Sequence, residues 1–132
     1  MLHLTALALA LEPPDRAGSV TVEGVAFGPR ITLTCTWFTN FENSRFEQCR
    51  TNGANLLPAS GGASVQCFGQ TCLQLDARAR RVGRGRRSEP PWGTFTVRIV
   101  GRISVHQHAS RYLGDGTSTV LVESVLSVRQ TR

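Results

Sequence analysis

The sequence predicts a mainly β domain: five strands, one short helix between the third and fourth, and a small, strongly curved sheet or closed barrel. Three observations carry this. Two segments alternate apolar and polar residues with the period of a strand, residues 31–38 (ITLTCTWF) and 93–105 (GTFTVRIVGRISV). Glycine-rich turn signals separate the apolar runs. The chain has 132 residues, enough for one domain with a modest core.

The elements follow in order. After Pro13-Pro14, residues 19–27 (SVTVEGVAF) place Val20 and Val22 on one face and Thr21 and Glu23 on the other. Gly24 breaks the phase, as a bulge does. Gly28-Pro29-Arg30 is a turn signal. In residues 31–38, Ile31, Leu33, Cys35 and Trp37 share one side, with Thr32, Thr34 and Thr36 opposite. These two segments read as an antiparallel hairpin with one buried face. Residues 40–49 (NFENSRFEQC) favour a tight turn, with Phe41 and Phe46 anchoring it to the core. Residues 50–63 read as a loop, and 64–75 hold a weaker third strand.

Residues 75–82 form the helical candidate. Leu75, Ala79 and Val82 make one narrow stripe, with Arg78, Arg80 and Arg81 pointing elsewhere. Gly83 and Gly85 end it, and Pro90-Pro91 forbids its resumption. The fourth strand, residues 93–105, puts Phe95, Val97, Ile99, Ile103 and Val105 on one face. Gly101 sits there too, as a kink or bulge. Residues 106–116 form a loop, and 117–129 the last strand, with a bulge near Ser124.

Charge is concentrated rather than spread. Residues 78–87 (RARRVGRGRR) contain six of the fifteen arginines. Without them nine basic residues face nine acidic ones, so one segment supplies the net charge of +6. Every basic residue is arginine, which points to a coding bias rather than to a surface selected for phosphate. The segment is still the first place to look for an anionic partner: Arg78, Arg80, Arg81, Arg84, Arg86 and Arg87, joined by Arg98, Arg102 and Tyr112. Phe38 and Tyr112 are the stacking platform that remains once Trp37 is assigned to the core and Trp92 to loop packing.

Cys35, Cys49, Cys67 and Cys72 are separated by thirteen, seventeen and four residues. Structural zinc sites pair close-spaced ligands twice, and only Cys67 and Cys72 are so spaced. Disulfides fit better. Four cysteines allow three pairings, of which Cys35–Cys49 with Cys67–Cys72 is favoured here. A free buried Cys35 thiol is the alternative. An even cysteine count in a small chain points to an oxidising compartment. The N-terminal MLHLTALALALEPP agrees: residues 1–18 read as a signal peptide, or else an apolar N-terminal segment, plus linker, ahead of a domain over 19–132. No apolar run is long enough to span a bilayer. The expectation is a periplasmic or secreted monomer, with a cytoplasmic location as the alternative.

His106 and His108 form an H-x-H pair that suits a metal, but no local third ligand accompanies them. They read as exposed loop residues. Glu42 reads as a turn residue, accepting backbone hydrogen bonds or pairing with Arg45, not as a general acid. The chain lacks G-x-S-x-G, H-E-x-x-H and a phosphate-binding glycine loop. The sequence therefore reads as non-catalytic, with no cofactor.

The last two strands, VRIVGRISV and YLGDGTSTVLVESV, resemble the closing strand pair of OB-fold domains. There a D-G-T-G-type turn joins them; here Asp115-Gly116-Thr117-Ser118 replaces its last glycine. The chain also resembles small exported bacterial barrel proteins of unassigned function. The matching residues are Phe41, Glu42, Ser44, Phe46 and Cys49, then Gly101, Arg102, Ser104, Tyr112, Gly114, Val122 and Val125. The resemblance covers about residues 20–128. It implies an OB-like barrel, and it implies no activity, since that fold hosts many. Two functions follow as expectations: an exported, disulfide-braced structural or ligand-binding module, and alternatively an OB-type module for single-stranded nucleic acid. A zinc enzyme is a distant third.

Overall fold

The computed structural model describes residues 18–40, 42–58, 61–86, 88–108 and 116–131. The expected leader, Phe41, Arg87, Tyr112 and the Gly114-Asp115 turn lie outside them.

The domain is mainly β. Its strands are β1 (Val20–Val22), β2 (Val25–Phe27), β3 (Ile31–Thr39), β4 (Ser44–Thr51), β5 (Ala54–Asn55), β6 (Ala63–Cys67), β7 (Gly93–Ile103) and β8 (Ser118–Gln130). The helix α1 (Thr71–Val82) falls between β6 and β7. Six strands form one sheet in the order β3-β7-β8-β6-β4-β5, and a further ladder joins β3 to β4. All these pairs are antiparallel except β6–β8, which is parallel.

This corrects the expected count of five strands. Residues 19–27 do not pair with 31–38. They fold on themselves, β1 against β2, as a separate two-stranded sheet. Glu23 and Gly24 both take positive φ, 49° and 80°. That is the geometry of a two-residue hairpin turn, so Gly24 closes a turn rather than making a bulge. The polar stretch read as a turn is itself mostly strand β4, because Asn40 confines the reversal to four residues. Its Oδ1 accepts from the backbone N–H of Glu42 and of Asn43. Phe46 then enters the core from β4.

The alternation in β3 and β7 does set the core. Leu33, Cys35, Trp37, Phe95, Val97 and Ile99 are buried together with Phe46, Val120, Val122, Leu75 and Ala79. Ile103 packs against this cluster from its edge, while Val105, expected on the same face, lies past the strand end and is exposed. The last strand slips register twice, at Leu126 and at Glu123, on either side of Ser124 and Val125. Gly101 pairs with Val122 here. A Cβ at Gly101 would sit 2.5 Å from the Leu121 carbonyl oxygen, so only glycine lets β8 come this close.

The helix starts a turn earlier than its apolar stripe. Thr71, Leu75 and Ala79 are its buried residues, and Val82 is exposed. The Thr71 hydroxyl donates to the Val122 carbonyl at 2.9 Å, which fixes the first turn to β8 although Gln70 offers no side-chain cap. The Cys67–Cys72 disulfide ties the end of β6 to the same turn, and Cys35–Cys49 joins residues directly opposite in the β3–β4 ladder.

Candidate functional site

A second buried cluster lies on the face of β7 and β8 that turns away from the main core. Phe27 and Leu121 are fully buried yet belong to no part of that core. Arg102 joins them with 0% of its surface exposed. The reason is the β1–β2 hairpin. It is anchored to the end of β7 by Gly28 N–H on the Ile103 carbonyl, Val105 N–H on the Ala26 carbonyl, and a Phe27–Ser104 bridge. Side chains that alternation would send to water are covered instead.

The buried guanidinium is held by a short polar network. Arg102 Nε donates to Glu123 Oε2 at 3.0 Å, and Nη1 donates to the carbonyls of Gly18 and Gly28, each at 3.2 Å. Arg30 Nε donates to the other carboxylate oxygen of Glu123. The register slip at Glu123 lets β8 present this side chain to both arginines. Burial pushes the Glu123 carboxyl up, but the hydrogen bonds from Arg30 and Arg102 and their charges outweigh it. The group stays below its ordinary value and ionised. Nη2 of Arg102 is buried with no hydrogen-bond partner among the described residues. A buried donor left unmet costs about 1–3 kcal/mol, and one on a charged group more.

Beside this network is a cavity of about 450 Å³. It is lined by Val20 and Val22 from β1, by Phe68, Val100 and Leu121, and by the polar residues Arg30, Glu123 and Ser124. Apolar walls with a few converging polar groups are the usual make-up of a small-molecule site, and the volume falls within the usual range. No single feature of the sequence marked it. The available signal was Arg102 itself, an arginine between Gly101 and Ile103 in a strand whose neighbours on both sides are apolar.

The residues expected at an anionic interface divide. Arg80, Arg81, Arg84 and Arg86 are exposed at and beyond the end of α1, and Arg98 is exposed on β7. Arg78 Nη1 donates to the Leu126 carbonyl at 3.0 Å and Arg80 Nε to the Glu89 carbonyl at 3.1 Å, so these two are partly fixed in place. Arg102 is a correction: it is fully buried and forms no part of any exposed anion-binding surface. Trp92 lies with its indole against Gly85 in the loop after α1, yet remains 55% exposed. It borders an open groove with Phe38, over whose ring the Arg45 guanidinium stacks at 5.1 Å.

The remaining candidates are placed as follows. The described cysteines are all disulfide-bonded, so the free Cys35 thiol and the zinc pairing fall away. His106 and His108 are exposed, and His108 Nε2 is 3.0 Å from Thr119 Oγ1. Among the described residues no group of three His, Cys, Asp or Glu side chains could hold a metal. Arg45 pairs with Glu47 at 3.5 Å, not with Glu42. A cleft of about 350 Å³ between α1 and the ends of β3 and β4 holds Asp76 near Trp37 and Ser44. Burial raises the Asp76 pKa, against the lowering effect of Arg80.

No family model matches the chain, and no curated protein or solved structure matches it. No helix among the described residues is long and apolar enough to cross a membrane.

Proposed function

We propose that this chain is an exported, disulfide-braced barrel of OB-like form that binds a ligand or partner and carries out no reaction. The observation that carries the reading is the pair of disulfides. One joins strands β3 and β4 and the other joins β6 to the start of α1, as is usual in small domains of oxidising compartments. The OB-like form is supported by the ladders. Strands β3, β7, β8, β6 and β4 each pair with the next, and the β3–β4 ladder returns to the start. The helix between β6 and β7 and the parallel β6–β8 pair fit the same form. Periplasmic or secreted placement is supported by the oxidised cysteines and the apolar N-terminal sequence.

Mass spectrometry of the natively expressed protein tests this. The expected result is four oxidised cysteines and a mature start near residue 11. Free thiols on an uncleaved chain would sink it.

A second reading, single-stranded nucleic-acid binding, draws support from the exposed Arg80, Arg81, Arg84, Arg86 and Arg98 and the Phe38–Trp92 groove. It predicts oligonucleotide binding that weakens steeply with salt. A flat fluorescence titration at low salt ends it.

A further inference from the structure

We propose that the open part of the outer face of β4, β3, β7 and β8 binds a strand of acidic polysaccharide. The proposal rests on the reading of the chain as an exported binding module and names the class of its ligand.

Direct cross-strand partners point to the same side of a sheet, so the ladders fix which side chains stand together. One row runs Arg50, Thr34, Arg98, Ser127, and all four are exposed. The next runs Gln48, Thr36, Thr96, Arg129, with its two ends exposed and its threonines half-buried. This is the side of β7 that the hairpin covers further along, at Arg102. There the sheet is closed over; here it meets water.

The charge of these rows chooses an anion. They hold Arg50, Arg98 and Arg129 and no acid. Arg50 donates to the Gly53 carbonyl at 3.2 Å and to the Gln48 side chain at 2.8 Å, and neither partner neutralises it. Among the described residues Arg98 and Arg129 form no ion pair, and Glu47 of β4 is taken by Arg45. A surface of one sign concentrates ligands of the other. Arg50 and Arg98 stand two strand spacings apart, about 10 Å, with Thr34 between them. They therefore engage different anionic groups, which favours a polymer over a small ion. Arg84 lengthens the track, since its backbone N–H donates to the side chain of Gln130, the residue after Arg129.

The threonines choose among polyanions. Each hydroxyl both donates and accepts, which matches the hydroxyls of a sugar chain. A nucleic-acid single strand wants aromatic rings for its bases. Neither row has one, and the Phe38 ring, one row further on, already carries the Arg45 guanidinium at 5.1 Å. An acidic peptide adds to a free sheet edge, but β3 and β7 are each paired on both sides. Arginine and the carboxylates of a uronic-acid chain are suited to paired, charge-assisted hydrogen bonds.

The test is titration of an alginate oligomer into the full oxidised chain at low salt. Calorimetry gives the affinity, and amide chemical shifts give the place. One saturable site is expected, with shifts at Thr34, Thr36, Thr96 and Ser127 and an affinity that falls as salt rises. Arg98→Gln and Arg129→Gln should each weaken binding about fivefold. Both side chains are exposed, so both variants should keep the wild-type unfolding midpoint. A neutral maltooligosaccharide of the same length should not saturate, and an oligothymidylate of the same length should bind more weakly than alginate. No saturable binding of alginate, equal binding of the neutral sugar, or oligothymidylate bound as tightly would each overturn the proposal. So would a larger loss from Arg80→Gln with Arg81→Gln than from the two sheet variants together. Oxidised, cleaved protein that ignores alginate removes this face and leaves the exported module standing. Alginate bound by uncleaved protein with free thiols does the reverse.

Discussion

Strand β7 buries one face along its length and the other only at its end, at Arg102, and the two burials differ in kind. Towards the main core, Phe95, Val97 and Ile99 meet apolar partners from β3, β8 and α1, and the Cys35–Cys49 disulfide joins two of the strands there. Towards the hairpin, Arg102 lies among Phe27 and Leu121 with a carboxylate, two carbonyls and an unmet donor. The first burial is non-directional and forgiving. The second depends on a few bonds of fixed geometry, so it is where one substitution does the most damage.

The largest effect is therefore expected at Arg102. Arg102→Met removes the cation and leaves Glu123 with the more exposed Arg30 alone. A cost of about 3–5 kcal/mol is expected, the usual result of breaking a buried pair from one side. Adding Glu123→Met should recover much of it, because an apolar pair can replace a buried ion pair with little loss. Urea denaturation of the single and double variants measures both. A single variant as stable as wild type would show that the two faces do not differ.

The two faces also differ in how far the sequence reveals them. The main core was legible because period-two alternation reports one buried face: Leu33, Cys35 and Trp37 in β3 and Phe95, Val97 and Ile99 in β7 all lie where it puts them. The hairpin's burial was not legible. It depends on where residues 20–27 dock, and Val20 and Val22 carry the same pattern whether they extend the main sheet or fold over its back. Arg102 was consequently grouped with solvent arginines. The cavity is lost for the same reason, since it lies between two elements whose relative placement no local pattern encodes. The helix start was missed on smaller grounds. Thr71 holds it through a hydroxyl and a disulfide neighbour rather than through an apolar position.

On the main-core side the disulfides give the next largest effects. Replacing Cys35 and Cys49 together by alanine opens a link of 14 residues, and about 3 kcal/mol is expected from loop closure. The five-residue link of Cys67 and Cys72 should be worth about 2 kcal/mol. Thermal unfolding of the two double variants ranks them. The reverse order would mean that holding α1 to β6 matters more than the loop lengths predict.

Arg30 offers a milder way into the hairpin side. Because it is partly exposed, Arg30→Gln should cost about 1 kcal/mol or less. Its clearer signature is in pH. The folded Glu123 carboxyl lies below its ordinary 4.5, so its contribution is fully present above that pH and is lost as pH falls through the folded value. Arg30 is one cause of the lowering. Without it the folded value rises, so the acid loss contributed by this group still begins near 4.5 but becomes smaller and is complete at a higher pH. Urea midpoints followed from neutral pH into the acid range separate the two proteins. Coincident profiles would place the control of Glu123 with Arg102 alone.

The smallest effect tests the rim of the main core, where α1 brings Asp76 into the cleft beside Trp37. Here the shift runs the other way. Burial raises the Asp76 pKa, so the fold disfavours the ionised form, and stability is lost as pH rises from 3.8 through the folded value. Asp76→Asn keeps the volume and removes the charge. It should stabilise the protein at neutral pH by a few tenths of a kcal/mol, since the cleft is open and solvent screens the group. The gain should vanish below pH 3.8, where the aspartate is protonated in both states. A loss at neutral pH would mean that the attraction of Arg80 exceeds the cost of burial. The edge of the main core would then hold a charge on favourable terms, as the hairpin side does at Glu123.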